Sequence, residues 1–179
     1  GLTTAVGHAT ERIPDQRFSV FLSNHDQPRT MTQLFNDDAA AHLTAAALLT
    51  LPGIPFIYYG EEIGMTGDKP DEQLRTPMQW TADPDTAGFT DGVPWIAPQA
   101  DTDTINVASQ DGDPDSLLNH YRALIRLHEA SPALQHGDFM PLRGNPGLAA
   151  YLRYDAGSGD LALILINFSQ RDLSGEDAV

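Results

Sequence analysis

In the ten residues Phe21 to Thr30, FLSNHDQPRT, an apolar run breaks into Asn24, His25, Asp26 and Gln27, followed by Pro28 and Arg29. An acid, an imidazole, two amides and a guanidinium at the tip of a strand-like stretch can bind a ligand or move a proton. In parallel α/β folds ligands meet the carboxyl ends of the strands, and polar residues there more often do chemistry than packing. Neighbouring residues of an unbroken strand face opposite ways, so His25 and Asp26 serve one ligand only where the strand is already ending, as Pro28 suggests. The plainer alternative is a turn capped by Asp26 and a satisfied, half-buried His25. Glu61 and Glu62 offer a second acidic pair, but adjacent carboxylates point apart, and an ion pair or a cap accounts for them as well. Asp111, Asp113 and Asp115 in DGDPD have the oxygen-rich spacing that calcium favours, while helix capping explains Asp113 and Asp115 without a metal. The six histidines have no His-x-x-x-His spacing and do not support zinc.

The elements that must hold this tip are legible as patterns. Residues 17–23, RFSVFLS, and 54–60, IPFIYYG, read as strands buried on both faces. Between them NDDAAAHLTAAALLTLPG opens with Asn36, Asp37 and Asp38 as cap and first-turn acids and stops at Pro52-Gly53, which predicts a helix. Strand, helix and strand at this spacing form a βαβ unit with a parallel sheet. From Glu61 to about Asp113 the chain is dense in Pro, Gly, Asp and Thr and predicts no helix or strand of useful length; such segments are usually functional loops. DPDSLLNHYRALIRLHEASPAL predicts a second helix with Asp113 as cap and Pro114 at its first position. Leu117, Tyr121, Leu124 and His128 share one face of it, with Leu118 and Ile125 beside them. From Gln135 onward DFMPLR, LAAYLRYD and DLALILINFS, separated by GNPG and AGSG turns, predict a small antiparallel meander.

Charge and composition exclude several classes. Of the 179 residues 25 are acidic and 10 basic, a formal charge of −15 that repels phosphate backbones and anionic lipid, so neither nucleic acid nor a membrane is expected as partner. There is no cysteine, hence no thiolate nucleophile and no disulfide frame, and both cytoplasmic and secreted locations are compatible with the chain. The first residues, GLTTAVGHATERIPDQ, lack a basic region followed by an apolar core, and the longest apolar runs fall short of the about 20 residues that a span needs.

Four motifs in order carry a resemblance. FLSNHDQPR resembles the last catalytic signature of the alpha-amylase family of glycoside hydrolases. LLTLPGIPFIYYGEEIGM is similar to the helix, turn and eighth strand that follow it, and RTPMQW to the loop motif of the oligo-1,6-glucosidase and alpha-glucosidase branches. INVASQDGDPDSLLNHYRALIRLHEASPALQHGDF continues as that family's eighth helix and β-rich C-terminal domain. The resemblance covers about residues 17–170. It implies the C-terminal part of a (β/α)8 TIM barrel, strands seven and eight with their helices, over residues 1–134, and a partial antiparallel β-sandwich domain over 135–179.

The same resemblance implies roles. Asp26 matches the third catalytic carboxylate, which binds sugar hydroxyls at the −1 subsite and favours the oxocarbenium-like transition state. His25 matches the imidazole that hydrogen-bonds that sugar, Asn24 belongs to the same signature, and Arg75 matches the arginine that holds the far hydroxyl of the terminal glucose. Arg29 is a candidate +1 contact. Trp80, beside Arg75, either stacks on a sugar ring or packs its loop, whereas Phe89 and Trp95 read as packing. The substrate implied is an alpha-glucan or oligosaccharide, with no cofactor beyond the calcium option above.

Retaining hydrolysis needs a nucleophilic aspartate and an acid/base glutamate about 5 to 5.5 Å apart. In the family both precede the NHD signature, and the 23 residues before Asn24 are too few for two more βα units of about 30 residues each. The chain is therefore expected to be inactive alone, with the missing N-terminal part of the barrel as partner and exposed strand edges that invite homo-oligomers. The alternative is a non-catalytic amylase-like module, as in the ancillary subunits of amino-acid transporters. Intact NHDQ and RTPMQW favour the enzyme.

Overall fold

The computed structural model describes residues 2–13, 16–143, 146–169 and 171–173. Along the chain run α1 (Leu2–Arg12), β1 (Ser19–Phe21), α2 (Thr30–Gln33), α3 (Asp38–Thr50) and β2 (Ile54–Phe56), then a 3-10 turn at Glu61–Ile63 and α4 (Asp71–Leu74). There follow α5 (Val107–Asp111), α6 (Leu117–Ala130), α7 (Pro132–His136), β3 (Asp138–Pro141), β4 (Leu148–Asp155) and β5 (Asp160–Asn167). The chain divides into two compact units. One holds residues 1–20, 43–56 and 124–179, the other residues 21–42 and 57–123.

In the first unit β3, β4 and β5 form an antiparallel sheet in that order, with Met140 opposite Leu152 and Leu152 opposite Leu163, the meander that the turn spacing predicts. Alternation sets its faces. Ile164 and Ile166 of β5 join Ala149 and Tyr151 of β4, Val6, Ala47, Leu51 and Leu134 in one apolar core. Leu161, Leu163 and Leu165, which alternate with them, stay exposed. Arg153 of β4 is fully buried and faces no carboxylate among its hydrogen-bond partners. Its guanidinium donates to Thr50 O (3.0 Å) at the end of α3, to Gly137 O (3.0 Å) and to Gln16 Oε1 (3.2 Å). Tyr151 and Thr50 join hydroxyls at 2.6 Å beside it.

Several elements differ from the sequence-based expectation. β1 and β2 are three residues each, and they pair only with one another among the described residues. Phe21, Ile54 and Phe56 consequently remain about half exposed, because among the described residues no further layer covers them, where the pattern predicts strands buried on both faces. The helix expected from Asp113 starts four residues later, at Leu117, with the Ser116 hydroxyl accepting from Asn119 N–H. Asp113 instead closes a turn on Asp115 N–H (3.0 Å), and Ser131 caps a separate α7, so the expected single helix is two. Asp37 does cap α3, through Ala40 N–H. Helix α1 has no counterpart in the expectation.

The second unit has its own core of Ile63, Met65, Met78 and Leu118, with Val107 against it. The long segment after β2 is not structureless. Its backbone is tied by Val107 N–H to Gln79 O (2.9 Å) and Ala108 N–H to Trp80 O (3.0 Å), and buried Asn106 caps α5. It leaves β2 through Gly60, at φ +79°, where a Cβ would lie 2.3 Å from Met65 Sδ. Only glycine fits there.

Candidate functional site

The second unit collects the polar motifs. After β1 the chain turns on itself: Asn24 Oδ1 accepts Asp26 N–H (2.9 Å) and Asn24 O accepts Gln27 N–H (3.3 Å). Ending the strand in this way puts His25 and Asp26 on the same side, with His25 Nε2 3.3 Å from Asp26 Oδ2. Both side chains are open to solvent, Asp26 at 63%.

Arg75 reaches this turn from the far end of α4. Its Nε donates to His25 O (3.0 Å) and its Nη2 to Asp26 Oδ1 (2.9 Å) and Asp71 Oδ2 (3.1 Å). Asp71, one helical turn before Arg75, is in turn held by Lys69 Nζ, and that hydrogen bond is the main reason why its carboxyl stays below the ordinary aspartate range. The row Lys69, Asp71, Arg75, Asp26 alternates in charge. A guanidinium bound to a carboxylate that also meets an imidazole, all three open to solvent, is suited to binding neighbouring hydroxyls.

Trp80 stands across a cavity of about 460 Å³ from Arg75, lined also by Tyr59, Glu62, Thr76, Phe89 and Trp95. Phe89 and Trp95, expected only to pack, are as open as Trp80. Tyr59 was not singled out in the sequence, and Glu62 was weighed there only as half of an acidic pair with Glu61; the signal for both was their place just beyond β2. A larger hollow of about 670 Å³ lies in the other unit among Thr10, Glu11, Gln16, His136 and Asp138, and none of Asn24, His25, Asp26, Arg75 or Trp80 lines it. Size is therefore the poorer guide here.

Arg29 is not on this surface. It is 1% exposed, its guanidinium lies 4.7 Å from the ring centres of both Tyr58 and Tyr59, and its Nη1 donates to Tyr59 O (2.7 Å). Burial pulls its pKa below the ordinary arginine value, against the tyrosines, which raise it. A side chain enclosed in this way supports the site from beneath and does not extend towards a ligand.

Glu61 and Glu62 point apart, as adjacent carboxylates should. Glu62 turns to the aromatic cavity with Oε2 buried and without a hydrogen-bond partner, and burial raises its pKa. Glu61 is buried under three hydroxyls, Thr30 (2.8 Å), Tyr121 (3.0 Å) and Ser23 (3.3 Å), in place of the expected ion pair or cap. Burial raises its pKa above glutamate's ordinary 4.5, opposed by those hydrogen bonds. A carboxyl whose pKa rises on folding contributes stability that is full below pH 4.5 and is lost as pH climbs through the folded value. The urea midpoint of Glu61→Gln should therefore gain on the native chain as pH rises from about 4.5 to about 8. Parallel pH profiles would refute this.

The acidic DGDPD stretch is spoken for: Asp111 Oδ1 takes Arg122 Nη1 (2.7 Å) and Asp113 closes the turn noted above. Among the described residues no three His, Asp or Glu side chains are grouped to hold a metal ion, and no helix is long and apolar enough to cross a membrane.

The model of the alpha-amylase catalytic domain matches residues 2–137 of the chain. Alpha-amylase 3 of Dictyoglomus thermophilum is 42% identical over 129 residues, covering 71% of this chain and 25% of that protein. The probable oligo-1,6-glucosidase 2 of Bacillus subtilis is 35% identical over 195 residues, covering 85% and 34%. Among solved structures, the trehalulose synthase MutB of Pseudomonas mesoacidophila MX-45 superposes with a TM-score of 0.74 at 30% identity, covering 84% of this chain and 34% of that one. The chain thus spans a quarter to a third of the length of these relatives.

Proposed function

The chain belongs to the alpha-amylase family of glycoside hydrolases, and from that premise we propose that it forms the C-terminal part of a retaining alpha-glycosidase barrel and supplies its −1 subsite. Residues 1–134 then contribute strands seven and eight of the TIM barrel with their helices, and residues 135–179 part of a C-terminal β-sandwich. The observation that supports the reading is the contact of Arg75 with both Asp26 Oδ1 and the carbonyl of His25, which joins NHDQ to RTPMQW across 49 positions.

In the proposed reaction an aspartate on an earlier strand attacks the anomeric carbon while a glutamate protonates the leaving oxygen; water then releases the sugar, or a second sugar hydroxyl does so in transfer. Asp26 and His25 hold ring hydroxyls of the −1 glucose, with Asn24 fixing their turn. As the ring flattens and positive charge grows at the anomeric centre, the Asp26 carboxylate is bound more tightly by the distorted sugar than by the relaxed one, which is what accelerates the step. Arg75 holds the distal edge of the same glucose. Trp80 and the cavity behind Arg75 offer a ring-sized apolar wall for the sugar or aglycone that follows. The structural relatives include a MutB form in complex with glucose, aligned over 93% of this chain at a TM-score of 0.78 and 29% identity.

Two carboxylates of the three are proposed to come from outside these 179 residues, so the pure chain should not hydrolyse an aryl alpha-glucoside at a measurable rate. Turnover by pure chain that disappears in Asp26→Ala would overturn this. The reading frame upstream of Gly1 tests the proposal itself. An Asp and a Glu at the ends of barrel strands there support the glycosidase; a barrel lacking them sinks it and leaves a non-catalytic amylase-like module.

A further inference from the structure

Arg75 is a long, partly exposed side chain at the C-terminal boundary of a four-residue helix, a poor foundation for a group that must hold one sugar hydroxyl. The backbone on either side of it is nevertheless fixed. Tyr58 Oη donates to Leu74 O (3.0 Å) and Tyr59 Oη donates to Thr76 O (2.7 Å), so two consecutive tyrosines bind the carbonyls immediately before and after Arg75. Their rings meet edge to face, with centroids 4.8 Å apart. Buried Arg29 lies against both, binds Tyr59 O through Nη1 and binds Gly67 O through its own N–H (2.9 Å). Arg29 therefore locks the rings, the rings lock two carbonyls, and the carbonyls lock the Cα from which the Arg75 side chain departs.

We infer that Tyr58, Tyr59 and Arg29 are positioning residues, a clamp that aims the Arg75 guanidinium at Asp26. Its consequence for catalysis rests on the proposed reading of Arg75 and Asp26 as a sugar-binding pair; the clamp itself does not. Successive residues of an unbroken strand could not do this, because they face opposite ways; two adjacent tyrosines can do so because β2 has ended at Phe56 and the chain is already turning towards Gly60.

The clamp is tested in the ¹⁵N-labelled chain by hydrogen exchange at the Arg75 Nε–H, which donates to His25 O (3.0 Å) and is assigned by its absence in Arg75→Lys. Tyr59→Phe keeps the ring on Arg29 and removes only the hydroxyl. It should speed exchange at Arg75 Nε–H about tenfold, Tyr58→Phe should do likewise, and the double variant should exceed either. The amides of Met65 and Val107, bonded to Gly60 O and Gln79 O in the same unit, should keep their rates. Unchanged exchange at Arg75 in the double variant, equal acceleration at all three sites, or an Arg75 signal already unprotected in the native chain would each overturn the clamp. Arg29→Lys, which keeps a charge but loses the flat face between the rings, should reproduce the Tyr59→Phe effect, and native protection in it would remove Arg29 from the set. A clamp that passes here, with no glycosidase activity in the complete barrel that contains this chain, would refute only the catalytic reading.

Discussion

Asp26→Asn in the complete barrel enzyme should lower kcat/KM for an aryl alpha-glucoside by about 10³-fold, with most of the loss in kcat. Asparagine has the shape of aspartate and one of its two acceptors, so the turn set by Asn24 Oδ1 and Asp26 N–H is untouched. Arg75 is not stranded either, because Nη2 also binds Asp71 at 3.1 Å. What disappears is the negative charge beside a ring that becomes positive only as the bond breaks. A group whose benefit appears in the transition state and not in the ground state should leave KM nearly alone. Steady-state rates of the native and substituted enzymes decide the matter; a loss below tenfold, or a loss confined to KM, would remove Asp26 from the catalytic set.

Arg153→Met carries the largest expected effect on folding, a loss of about 2 to 4 kcal/mol, read as a lower urea midpoint at unchanged m value. The guanidinium is fully buried and burial lowers its pKa to about 10, so it is still charged at neutral pH. Methionine fills a similar volume and removes the cost of burying that charge, which acts in its favour. Against this, Thr50 O at the open end of α3 loses its donor inside the unit, at about 1 to 3 kcal/mol, and half-buried Gln16 Oε1 loses one at smaller cost, while Gly137 O keeps Gln16 Nε2. The helix end also loses the one cation facing it among these contacts. Two orphaned acceptors outweigh one relieved charge, and the deficit is a large part of a typical domain's stability of about 5 to 15 kcal/mol. Arg153→Lys should be almost as harmful, since one ammonium cannot span three acceptors on separate segments. A midpoint equal to or above the native one would show that desolvation wins.

How much of this was legible in the chain depends on range. The alanine-rich helix with Asp37 at its start and the meander with its turns follow from local pattern, and both are present. The tip at His25 and Asp26 was legible as a cluster, because residues so close in sequence need only a broken strand to stand together. The contact from Arg75 was not, since spacing of 49 residues fixes no distance; only the motif resemblance joined them. Arg29 shows the opposite failure. An arginine after Pro28 in a polar loop reads as exposed, and nothing local reveals that two tyrosines some thirty positions later will enclose it. Asp113 and Pro114 are ideal helix openers by type, yet Ser116 takes the role because its hydroxyl is the one that meets Asn119 N–H. Strand length was overestimated for a physical reason too: apolar residues can continue past the last ladder bond, as Tyr58 and Tyr59 do while their hydroxyls work elsewhere.

Gly60 has a consequence for how such a protein can change. With Met65 Sδ occupying the space where any side chain would begin, and Met65 itself in the core of its unit, a substitution at position 60 is strained at φ +79° and must displace a core side chain. The loop beyond Met65 is itself held by buried Leu74, Thr76, Gln79 and Asn106, so exchanges are freest at its exposed residues, Trp80, Phe89 and Trp95 among them. Remodelling Trp80, Phe89 and Trp95 changes the lining of the cavity, while the point from which that loop departs stays where it is. The exposed rim can vary because the hinge beneath it cannot.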